Sequence, residues 1–151
     1  MRKKPPDPGG LWRLVPYVSP NFRCQVHEWI EDDLRLARPA AYVEFYDDKK
    51  GLAQKLQRHG PAALERTPAW KRYGDGLYAL RWERGCRIYC SVESNKRIVM
   101  YHGCIKTWRE FIHRSVCNQR RKDFLSSEYD QQVRELRYLA LRKRRGQNGI
   151  A

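Results

Sequence analysis

Apolar and polar residues alternate from Leu77 to Trp82. Tyr78, Leu80 and Trp82 fall on one face and Ala79 and Arg81 on the other, the period of a half-buried strand. After the polar Glu83-Arg84-Gly85 step the alternation resumes, with Cys86, Ile88, Cys90 and Val92 in one row and Arg87 and Tyr89 in the opposite one, so the two runs predict a β-hairpin. A third strand through Val99-Met100-Tyr101 completes a meander. Upstream, Cys24 to Ile30 is predicted as a first strand. From Pro39 to Arg58, Ala41, Phe45, Leu52 and Leu56 share a helical face, Gly51 can divide the helix in two, and His59-Gly60-Pro61 ends it. Two helices are expected after the meander. The first packs through Trp108, Phe111, Ile112 and Ser115. The second, capped by Ser126-Ser127, carries Tyr129, Val133, Leu136 and Ala140 as its apolar positions. The plan is α+β: a small, largely antiparallel sheet with helices packed on one face. Residues 1–21, rich in Pro and Gly, are expected as a tail or an arm, in which Leu11, Trp12, Leu14, Val15 and Tyr17 can dock on the body, 22–124 as the body, and 125–151 as a basic helix and tail.

Charge gives this plan a direction. The chain has 31 Lys and Arg against 17 Asp and Glu, a formal net charge of +14 and an isoelectric point near 9.9, which draws it to polyanions. Arg81 and Arg87 on adjacent strands present guanidinium groups of the shape that grips phosphate, and Tyr89 beside them can stack on a base. Ordinary solvated strand arginines fit the same spacing. No run approaches the roughly 18 apolar residues of a membrane helix, and the start of the chain lacks the apolar stretch of a secretory signal, so a cytoplasmic protein is expected. The five cysteines are odd in number and occupy apolar positions, as reduced thiols do. Cys86, Cys90, His102 and Cys104 could be drawn as a zinc site. They lack the knuckle spacing, and strand alternation explains them, so no metal or other cofactor is expected. His102 follows Ile98 and Met100 in alternation, which puts a structural role ahead of acid-base chemistry.

The stretch from Tyr73 to Phe124 resembles the RelE/HigB superfamily of bacterial toxins, in particular its phage-derived HigB-like branch. The resemblance rests on four ordered motifs: Leu77-Tyr78-Ala79-Leu80-Arg81, Cys86-Arg87-Ile88-Tyr89-Cys90, Val99-Met100-Tyr101-His102-Gly103-Cys104-Ile105-Lys106 and Arg120-Arg121-Lys122-Asp123-Phe124. It implies a RelE-like fold and metal-independent cleavage of messenger RNA on the ribosome. It also implies neutralisation by a separately encoded antitoxin, expected to be a helix-turn-helix protein. Arg81 and Arg87 are then expected to stabilise charge on the phosphate, with Lys106 as proton or phosphate partner. Tyr89, His102, Arg109, Arg120, Arg121 and Lys122 are expected to contact RNA, and Arg142 and Arg144 in the last helix to add contacts or only to suit the helix dipole. The chain departs from the family pattern at Ala79, where Glu is usual, at Thr107-Trp108, where a second lysine is common, and at Phe124 in place of Tyr. A noncatalytic nucleic-acid-binding relative and a phage or mobile-element interaction protein are the alternatives.

Overall fold

The computed structural model describes residues 11–106 and 110–148, and the fold is α+β. Strand β1 (Arg13–Pro16) is followed by helix α1 (Gln25–Glu28), which widens into a π-helical turn (Trp29–Leu34) and closes with α2 (Arg35–Ala37). Helices α3 (Pro39–Tyr46) and α4 (Leu52–His59) and a 3-10 turn (Pro61–Ala63) precede the strands β2 (Trp70–Gly74), β3 (Leu77–Trp82), β4 (Cys86–Glu93) and β5 (Arg97–Ile105). Helices α5 (Glu110–Ser126) and α6 (Glu128–Asn148) end the described chain. The sheet order is β1-β5-β4-β3-β2. Strands β2 to β5 form an antiparallel meander, and β1 joins its far edge parallel to β5.

Three expectations are corrected here. Cys24 to Ile30 is helical, because Val26, Trp29, Ile30 and Leu34 recur at helical spacing and all four are buried against the sheet. The first strand instead lies inside the expected arm, where Leu14 and Val15 pair with Ile98 and Val99. Residues 1–10 of that arm lie outside the described residues. Lastly, the helices cover both faces of the sheet. On one face Val26, Trp29, Ile30, Phe45 and Leu56 pack on Leu80, Trp82, Ile88 and Met100. On the other, Cys117 and Phe124 of α5 pack on Ala79, Tyr89, Val99 and Tyr101. Strand β4 is consequently buried on both sides from Cys86 to Ser91.

The first layer depends on one close approach. A Cβ on Gly103 would collide with the ring of Trp29, and the Gln25 side chain both donates to and accepts from the Gly103 backbone at 2.7 Å. Gln25 thus continues the β5 hydrogen-bonding edge beyond the point where β1 stops, satisfying buried peptide groups. The division at Gly51 occurs as expected, with Ala41 and Phe45 of α3 and Leu52, Ala53 and Leu56 of α4 buried.

At Ile112 and Ser115, helix α5 does not pack as its apolar pattern predicts: both are exposed, while His113, Arg114, Cys117, Arg120, Arg121 and Phe124 lie partly or fully buried; Trp108 and the Phe111 side chain lie outside the described residues. Arg120 donates to the Tyr101 carbonyl at 2.5 Å, and Arg121 pairs with Glu93 at 3.0 Å. Much of the basic side of this helix is therefore turned inward. Helix α6 is inverted in the same sense. Tyr138 is buried against His27 and Gln131 brackets the Val18 backbone, while Arg134 binds Asp123 at 2.7 Å, and Tyr129, Val133 and Leu136 face solvent. Among the described residues, no helix is long and apolar enough to cross a membrane.

Candidate nucleic-acid interface

Register carries the strand alternation across the sheet. Lys71 pairs with Ala79, Ala79 with Tyr89 and Tyr89 with His102, forming one row on the α5 face. The adjacent row is Arg81, Arg87 and Cys104. Because side chains at directly paired positions share a face, residues far apart in sequence become neighbours. At the end of the second row lies an open cleft of about 460 Å³, lined by Pro68, Ala69, Arg81, Trp82, Glu83, Gly85, Cys86, Arg87 and Lys106. It brings together all three residues expected to act on phosphate.

Their environments differ. Arg81 is half-buried, with its Nε donating to the Pro68 carbonyl at 3.0 Å. Lys106 is exposed, and its backbone N–H donates to the Gly85 carbonyl at 2.5 Å, pinning the end of β5 to the β3–β4 turn. Arg87 is only 5% exposed, and its Nη1 donates to the Tyr73 hydroxyl at 2.7 Å. Tyr73 is the residue that sequence reasoning missed. The Lys71 ammonium and the Arg114 guanidinium each lie 4.7 Å from its ring centroid, so three cations surround one phenol. The β2 alternation that puts Lys71 and Tyr73 on this face was available in the sequence; Arg114 reaches it only through the packing of α5. Among the described residues, Lys71, Arg81, Lys106, Arg114 and Arg120 make no ion pair with a carboxylate.

Other expected contacts are placed elsewhere. Tyr89 is 1% exposed, flanked by Tyr73, His102 and His113, so it is part of the floor beneath the basic residues and offers no open face to a base. Arg120 and Arg121 hold α5 to the sheet, and Lys122 is exposed. Arg142 forms a two-pronged pair with Asp32, whereas Arg144 is exposed. Arg109 lies outside the described residues.

His102 stacks on His113 with ring centroids 4.7 Å apart, and Arg120 Nη1 donates toward its Nδ1 at 3.3 Å. Burial, then the Arg120 guanidinium and the His113 ring, push its pKa down to about 4. His102 is therefore neutral at pH 7, with Nδ1 as acceptor and the proton on Nε2. His102, Cys104 and His113 place potential ligand atoms within 4.8 Å of one another, but the Arg120 contact occupies His102 Nδ1 and the surroundings are cationic. Cys86 and Cys90 point to the opposite face, so the four-residue site drawn from sequence does not assemble.

The depressed histidine gives a signed pH prediction. The unfolded chain binds a proton below about 6.5 that folded His102 refuses until about 4. Its contribution to stability is present above pH 6.5, falls as pH drops through this window and is gone below about 4. Complete linkage would amount to about 3 kcal/mol, and partial solvent access reduces this to about 1–2 kcal/mol. His27, also lowered by burial and by Arg142, acts in the same direction. Denaturant melts at pH 7.0 and 4.5 should show this loss, and His102→Gln should reduce it. An equal loss in the variant would remove His102 from the account.

Comparison with protein-family models finds no matching family, and comparison with curated proteins finds no match.

Proposed function

We propose that this chain is a RelE/HigB-like toxin component that cleaves messenger RNA on the ribosome in the cytoplasm and is neutralised by a helix-turn-helix antitoxin. The observation that carries the reading is the single cleft lined by Arg81, Arg87 and Lys106. In such cleavage the 2′-hydroxyl gives up its proton to water as it attacks the neighbouring phosphorus, negative charge grows on the phosphoryl oxygens, and the bond to the 5′-oxygen breaks as that oxygen takes up a proton. Arg87, held by Tyr73, and Arg81, held by Pro68, are fixed donors for that charge. Lys106, exposed at the cleft, supplies a mobile ammonium to the phosphate or the leaving oxygen. Induced expression should arrest bacterial growth and leave cuts in translated messages. Arg81→Ala and Lys106→Ala should each lower cleavage about a hundredfold while the protein remains folded.

The burial of Tyr89 favours a second reading, a noncatalytic relative that grips RNA by charge alone. Folded wild-type protein that binds ribosomes or RNA with a steep salt dependence, yet neither slows growth nor cuts message, would establish that alternative.

A further inference from the structure

We infer that two copies of this chain associate through the outer face of α6 as an antiparallel, two-fold symmetric helix pair. At about 100° per residue, Tyr129, Val133, Leu136 and Ala140 form a straight stripe opposite the side on which Gln131, Arg134 and Tyr138 bind the body. Tyr129 is 93% exposed, Leu136 70% and Val133 60%. The alternating spacing of four and three is that of a helix-pair seam, and contiguous apolar surface of this kind marks an interface. Residues 1–10 contain one large apolar side chain, Met1, so that segment is poorly suited to cover it.

Charge selects the occupant and its direction. In an antiparallel pair with Tyr129 opposite Ala140 and Val133 opposite Leu136, each layer sets a large side chain against a smaller one. The same register brings exposed Asp130 beside Arg137 of the other copy, twice, because both flank the stripe on one side. A parallel pair separates those charges along the axis. The two-fold seam leaves the cleft open, since no α6 residue lines it. With +14 on each chain, the pair should tighten as salt screens net repulsion.

Sedimentation equilibrium of the full chain over a concentration series tests the pair directly. The expected mass rises from 18.1 kDa to twice that value, and Leu136→Glu weakens association by about a hundredfold or more. Leu136 is mostly exposed, so this variant should fold, which circular dichroism checks. Disulfide trapping tests the direction. Tyr129→Cys mixed with Ala140→Cys should cross-link, whereas Tyr129→Cys alone should not, because its two copies lie about 16 Å apart along the axis. A monomeric mass at every concentration overturns the proposal. So does self-cross-linking of Tyr129→Cys in preference to the mixture, or a stripe that instead binds anionic vesicles or an acidic helix of another protein as a one-to-one complex.

Discussion

Trp82→Ala should cost about 3–5 kcal/mol of folding stability. The indole is 6% exposed, its Nε1 donates to the Ala41 carbonyl at 2.9 Å, and its ring stacks on Phe45 at 5.3 Å and meets Trp29 edge-on at 6.1 Å. Truncation removes the shared packing of the sheet with α3 and the π-helical turn, and leaves a cavity that Phe45 and Trp29 cannot close without leaving their rotamers. At 2–4 °C per kcal/mol for a chain of this size, the melting midpoint should drop by roughly 10–15 °C. Trp82→Phe keeps most of the volume and loses the hydrogen bond, so it should fall between variant and wild type. A midpoint shift under about 2 °C for Trp82→Ala would show that the helical layer is not anchored here. Trp82 also borders the cleft, so its truncation should loosen the Arg81 strand end even where the fold survives.

The meander and the α3–α4 pair were legible because their determinants are local. Alternation in Leu77 to Trp82 and Cys86 to Val92 matches the paired strands, and the sequence placed Arg81 and Arg87 on a common face, where they are direct cross-strand partners. What sits above that face was not legible. Arg87 and Tyr89 read as solvent-facing, yet α5 covers them, and its position depends on contacts with residues as distant as Tyr73 and Tyr101. Pattern reading assumes that apolar side chains mark the packed side of a helix. Helix α6 reverses this assumption: it is fastened through Gln131, Arg134, Tyr138 and Arg142, all with polar partners distant in sequence, while its apolar stripe stays outside. Strand β1 was hidden for a related reason. Its four residues gain their hydrogen bonds from β5, more than eighty positions away; the apolar Leu14, Val15 and Tyr17 pointed to docking on the body, but no local signal identifies the partner strand. Cys24 to Ile30 carried two periods at once, and the helical one prevailed because only it also brings Trp29 to the core beside Val26 and Ile30.

Tyr73→Phe and Arg87→Lys should prove energetically coupled. The Tyr73 hydroxyl accepts a charge-assisted hydrogen bond from Arg87 Nη1 at 2.7 Å in a half-buried setting, an interaction worth about 1.5–3 kcal/mol. Tyr73→Phe removes that acceptor and changes no charge. Arg87→Lys keeps the charge but loses the planar fork, so the second substitution should cost less once the first is made. A double-mutant cycle in denaturant should give a coupling of about 0.5–3 kcal/mol; a value near zero would mean that the hydroxyl does not hold the guanidinium. The cycle also separates attraction from positioning. Because Tyr73→Phe leaves Lys71, Arg87 and Arg114 charged, the salt dependence of RNA binding should be unchanged. If Arg87 acts on a phosphate, cleavage should still fall about tenfold or more, since a donor that has lost its Tyr73 contact meets the developing charge in a less fixed geometry. Unchanged cleavage beside a measurable stability coupling would assign the Tyr73–Arg87 contact to the fold and leave the phosphate to Arg81 and Lys106.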